Sequence, residues 1–118
     1  MTILPYAIMN NIPININYTW TNPTSMVNLA TILYNNDCGY YIITWEHKHI
    51  QPLTEDILSV YNNNNIKVIY NNTAQDIPHW GSTNFDSIYI LQYNAKNNTI
   101  SFSIEQENLN NMSTICPN

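Results

Sequence analysis

The first regular pattern along the chain is an alternation. Ile14, Ile16, Tyr18 and Trp20 are apolar, while Asn15, Asn17 and Thr19 between them are polar. Successive side chains of a pleated backbone point to opposite faces, so a period of two predicts a half-buried strand over 14–20. Pro23 interrupts the pattern, Thr24 or Ser25 can act as N-cap, and Met26, Leu29, Ala30 and Leu33 recur at helical spacing. This predicts a helix over 24–35, stopped by Asn36, Asp37 and Gly39. Residues Tyr40 to Trp45 (YYIITW) then form an apolar, aromatic and β-branched run with no polar face. Such a run predicts a strand covered on both sides, and strand, helix, strand in this order predicts a right-handed βαβ unit.

A second helix is expected over about 50–61, where Ile50, Leu53, Ile57 and Val60 or Tyr61 share a stripe. Pro52 fits its first turn, and Glu55 and Asp56 favour an N-terminal position. Residues 4–10 predict a short helix with Pro5 in the first turn, and 66–70 a short strand or extended connection. From Asp86 to Tyr93, Ile88 and Ile90 share one face and Tyr89, Leu91 and Tyr93 the other, which predicts an internal strand. A turn over 94–98 leads to Ile100, Phe102 and Ile104 alternating with Ser101, Ser103 and Glu105, an antiparallel hairpin with one wet face. The expected fold is α/β: a partial three-layer α/β/α sandwich around a mixed, mostly parallel sheet, ending in that hairpin. With no internal repeat and no dividing linker, residues 1–118 are expected to form one domain, with an ordered core over about 3–107 and a tail over 108–118.

Composition narrows the function. The 118 residues include 3 Lys, no Arg and 8 acids, for a net charge of -5, while 44% are hydrophobic. The apolar share suffices for a core, and the electrostatic term that drives binding to nucleic acid or anionic membranes is missing. No apolar stretch approaches the ~20 residues needed to span a bilayer, and the start MTILPYAIMNNIP lacks a basic n-region and a cleavage pattern. The expected location is the cytoplasm, with Cys38 and Cys116 as reduced thiols. The 22 Asn residues and the excess of Ile reflect an AT-rich coding bias, which makes sequons such as Asn71-Asn72-Thr73 accidental.

The densest chemistry is Trp45-Glu46-His47-Lys48-His49, where the predicted buried strand meets the second helix. Anions bind at such places because backbone donors and helix N-termini converge outside the carboxyl ends of strands. The competing reading is a solvated loop in which His47 only caps the helix. A metal at Glu46, His47 and His49 is disfavoured, since no distant Cys or His pair with ligand spacing completes the set. His79, between Pro78 and Trp80, reads as a loop histidine packed on an aromatic ring. With only Gly39 and Gly81 there is no nucleophile elbow and no phosphate-cradling glycine loop.

A buried strand ending in Trp45-Glu46-His47-Lys48-His49-Ile50, a helix, then Trp80 before Phe85-Asp86-Ser87-Ile88-Tyr89-Ile90-Leu91 resembles the carboxyl-terminal half of the histidine phosphatase (phosphoglycerate mutase-like) superfamily. Thr2 to Met9 and the elements up to Asn35 extend that likeness over almost the whole chain. The resemblance implies that His47 is the family's second histidine, hydrogen-bonding a phosphoryl group, with Lys48 beside it. It also implies a nucleophilic histidine in an Arg-His-Gly motif and two arginine clamps, none of which this chain contains. Lysine does not reproduce the planar fork of guanidinium, and losing one such clamp can cost ~10³ in rate. The expectation is therefore a truncated, phosphatase-like chain without activity alone, binding phosphate or a phosphorylated small molecule without a cofactor. It would need a complementary amino-terminal half or self-associate. The alternative is a non-catalytic interaction or pseudo-enzyme module that binds a partner or an anionic ligand.

Overall fold

A computed structural model describes residues 4–16, 18–19, 22–36, 39–84 and 86–107. The tail expected over 108–118, and Phe85, Cys38 and Cys116, lie outside the described residues. The elements in chain order are α1 (Leu4–Met9), α2 (Pro23–Asn35), α3 (His47–Asn63), β1 (Lys67–Tyr70), β2 (Ser87–Asn94) and β3 (Thr99–Gln106). The fold is mixed α/β, and the described residues form three helices and a three-stranded mixed sheet of order β1-β3-β2.

Helix α2 starts one residue earlier than expected. Its cap is Asn22, whose side-chain oxygen accepts from Thr24 N–H at 3.0 Å, and Pro23 takes the first helical position, where its missing N–H costs nothing. The predicted stripe holds: Met26, Leu29 and Ala30 are buried. Helix α3 starts at His47, three residues before the expected position, so Pro52 lies inside the helix and the N–H that would return to Lys48 is absent. At its other end, Asn65 adopts φ 63, with Ile66 N–H donating to Tyr61 C=O at 3.1 Å and Asn65 N–H to Asn62 C=O at 3.0 Å. This left-handed closure turns Ile66 back onto Tyr61, and both are buried.

On the outer turns of α3, burial pushes the Asp56 carboxyl above its ordinary 3.8, and the neighbouring Glu55 adds to the shift. An acid whose folded pKa is raised opposes folding when ionised. Asp56→Asn is therefore expected to be more stable than the parent at pH 7, and to lose that advantage as pH falls through the raised value towards 3.8. Paired urea titrations at pH 7 and pH 4 check this.

β3 is the central strand, pairing parallel with β1 (Val68 opposite Ile100) and antiparallel with β2 (Leu91 opposite Phe102). One sheet face carries Val68, Tyr70, Tyr89, Leu91, Tyr93, Ile100, Phe102 and Ile104, and it packs on α3 and α2 as the core. Tyr61 of α3 links the layers, its ring 5.1 Å from that of Tyr34 on α2 and 5.3 Å from that of Tyr93 on β2. The other face carries Ser101, Ser103 and Gln92 with the exposed Ile69 and Ile88. Beyond Tyr70, Asn71 N–H donates to Phe102 C=O at 3.0 Å. The Asn72 side chain then clasps Ile104, donating to its C=O at 2.8 Å and accepting its N–H at 3.0 Å.

Three expectations are corrected. Residues 14–16 and 18–19 are not a strand, and Ile14 and Ile16 are exposed. Tyr40 to Trp45 is likewise not a strand, with Tyr40 to Ile43 all exposed. The βαβ unit is therefore not formed among the described residues, and the longer ladder of the sheet is antiparallel rather than parallel. Finally, among the described residues β2 is an edge of the sheet rather than internal. The common reason is that periodicity specifies an extended backbone, whereas a strand also needs a neighbour to accept its N–H and C=O groups.

Candidate functional site

The cluster Glu46 to His49 folds around one carboxylate. Glu46 is the N-cap of α3 and its Oε2 accepts the backbone N–H of Lys48 at 3.0 Å. The same oxygen lies 2.8 Å from His49 Nδ1, and Oε1 lies 3.0 Å from His47 Nδ1. Two imidazoles thus bracket one cap. A carboxylate accepts only, so both rings carry their proton on Nδ1, and Nε2 of His47 becomes a donor only in the doubly protonated ring. Partial withdrawal from water pushes the Glu46 carboxyl up, but the His49 bond, the nearby His47 ring and the Lys48 amide outweigh this and hold it below its ordinary 4.5.

Of the residues singled out in the sequence, His47 is the first residue of α3, with its side chain 42% exposed, and Lys48 is exposed beside it. His47 does not stand at the carboxyl end of a sandwiched strand, because the preceding segment makes no ladder. His49 and Glu46 complete the cluster. The signal for them was an acidic residue immediately before a helix that opens His-Lys-His. His79 lies apart in the loop before β2, its Nδ1 3.2 Å from Gln51 Oε1. Beside it, the Trp80 ring packs edge-on against Tyr89 at 5.0 Å, and Tyr89 donates to Pro78 C=O at 2.8 Å. Among the described residues, no group of three or more His, Cys, Asp or Glu is arranged to hold a metal, and no helix is long and apolar enough to cross a membrane.

Two recesses adjoin these elements. One, of about 630 Å³, lies on the open sheet face with Lys96, Gln92 and Ser101 in its walls. The other, of about 520 Å³, lies on the far side of α2 and is apolar, lined by α1, Ile12, Ile14, Leu29, Leu33 and the segment Tyr40 to Trp45. His47 lines neither. In the wall of the apolar recess, Trp45 Nε1 is buried without a hydrogen-bond partner among the described residues.

Comparison with protein-family descriptions, curated proteins and solved structures finds no match to this chain.

Proposed function

We propose that the chain is a histidine phosphatase-like α/β module that keeps a phosphate-contacting histidine and does not hydrolyse phosphate esters alone. The supporting observation is the pairing of His47 Nδ1 with Glu46 Oε1 at 3.0 Å in the first turn of α3. A doubly protonated ring in this position has Nε2–H to give to a phosphate oxygen. Lys48 adds a positive charge beside it but not the bidentate geometry that a transferring phosphoryl group needs. With no arginine in the chain, charge developing in the transition state has no clamp, and binding without turnover follows. On this reading, a second polypeptide segment covering the apolar stretch before His47 completes the α/β/α layering and supplies the remaining phosphate ligands.

The test is a titration of inorganic phosphate and phenyl phosphate followed by the ring resonances of His47. Weak binding, on the order of 1 mM, is expected. It should weaken as the ring loses its second proton and fall at least about tenfold in His47→Ala, the scale of one charged hydrogen bond. Unmoved resonances, or equal binding by His47→Ala, remove the phosphate role. Sustained phenyl phosphate hydrolysis lost in His47→Ala removes the claim of inactivity.

A second reading has its own observation. The donor at the start of α3 is already engaged, since Lys48 N–H is held by Glu46 at 3.0 Å. An anion must compete with the chain's own carboxylate there, which favours an interaction module that uses its apolar surface rather than a phosphate pocket.

A further inference from the structure

Two of the three lysines of the chain stand at one end of the open sheet face. Lys67 on β1 lies opposite Thr99 on β3, on the face that also carries Ile69 and Gln92. Lys96 lies in the turn that joins β2 to β3 at the same end, in the wall of the recess of about 630 Å³. Both backbones are pinned. Asn94 Oδ1 accepts the N–H of Lys96 at 3.0 Å and that of Asn97 at 3.2 Å. Asn98, at φ 52, donates from Nδ2 to Asn65 C=O at 2.8 Å, while its own C=O accepts the Lys67 N–H at 3.1 Å.

Neither of these lysines has a carboxylate within ion-pair distance among the described residues. The acid that the strands place on this face, Glu105, lies six positions along β3 from Thr99, about 20 Å away. Salt screens exposed charges beyond ~10 Å, so Glu105 does not cancel the two ammonium groups. In a chain of net charge -5, this end of the sheet is locally positive.

We propose that the recess binds a sugar acid, a monosaccharide-sized polyol carrying one carboxylate, with the carboxylate at the lysines and the hydroxyls on the strand side chains. The side-chain amides of Asn71 and Gln92 and the Thr99 hydroxyl, all in its wall, bond to no described residue. Each can both donate and accept, as can each hydroxyl of a polyol. Ile69, 36% exposed, supplies an apolar surface for the C–H face of the sugar ring. The same lining disfavours other anions. The Tyr93 ring already packs on Tyr61 at 5.3 Å, which leaves no described ring in the wall to stack on a nucleobase. A phosphate group is usually cradled by the N–H groups of a helix start, and no described residue lining the recess belongs to a helix. Because α3 packs on the opposite sheet face, this site does not rest on phosphate binding at His47.

A titration of the full chain with glucuronate, followed by its backbone amide resonances, tests the proposal. Ile69, Gln92, Lys96 and Thr99 should move together and saturate with a Kd on the order of 1–10 mM. Lys96→Gln should weaken binding by about two- to fivefold, the scale of one exposed ion pair, and the double variant with Lys67→Gln by about tenfold. Both lysines are exposed, so the substitutions spare the core. Should a variant still fail to fold, the comparison of glucuronate with acetate and with glucose on the unsubstituted chain decides, since neither charge alone nor hydroxyls alone should saturate these amides. Acetate or glucose matching glucuronate, inorganic phosphate moving the same amides at lower concentration, movement of the His47 ring in place of these amides, or unchanged binding in the double variant would each overturn it.

Discussion

Phe102→Ala is expected to lower unfolding stability by about 3–5 kcal/mol, the usual consequence of emptying a closed aromatic site. Phe102 is 0% exposed on the central strand, and its ring lies 5.1 Å from that of Tyr89 on one neighbour and 6.1 Å from that of Tyr70 on the other. Both contacts are edge-on, so truncation removes packing from all three strands at once. The neighbours are held by ladders on either side and cannot collapse into the space, which places the cost in the upper part of the range. Domains of this size have about 5–15 kcal/mol in total, so the variant should be near the edge of folding at 37 °C. Urea unfolding reads the effect as a lower midpoint at unchanged slope. A loss under about 1 kcal/mol would mean that this sheet face is not the core.

Leu53→Ala is expected to cost about 2–5 kcal/mol and to loosen the start of α3 more than its end. Leu53 is 4% exposed and follows Pro52, where the helical ladder already lacks one bond. The first turns of α3, which carry His47 and His49 behind the Glu46 cap, are therefore held down by packing at Leu53 and Ile57 more than by their own hydrogen bonds. Amide exchange should show His49 to Leu53 opening before Val60 to Asn63. Uniform acceleration along α3 would mean that the helix opens only as a unit.

The carboxyl-terminal elements and α2 were legible because their signals are local and consistent. Met26, Leu29 and Ala30 fall on one side of a helix, and Ile100, Phe102 and Ile104 alternate against serines, so pattern and burial agree. The segments 14–19 and 40–45 carried equally strong strand patterns, yet the described residues form no ladder there. Ile43 and Thr44 can favour an extended backbone by their branching, but whether a partner lies alongside is not encoded in six residues. The edge position of β2 escaped for a similar reason: both faces of Ile88 to Tyr93 are apolar, although only the face of Tyr89, Leu91 and Tyr93 meets the helices.

In the candidate site, the cluster was legible and its arrangement was not. Glu46-His47-Lys48-His49 stands out because it ends a long stretch whose single charged side chain is Asp37. The helix begins at His47 rather than Ile50 because Glu46 can cap it and two rings can close on the carboxylate. Glutamate is an uncommon cap, and a preference drawn from the usual Ser, Thr, Asp and Asn places the boundary later.

The clasp between Asn72 and Ile104 gives the molecule a vulnerability to age. The side-chain amide stands in for one more rung of the ladder, giving a proton at 2.8 Å and taking one at 3.0 Å. Deamidation to aspartate would keep the accepting oxygen and replace the donating nitrogen with a second oxygen facing the Ile104 carbonyl, turning attraction into repulsion. An old preparation should therefore release the far end of β1 from β3 first, through slow covalent chemistry rather than unfolding.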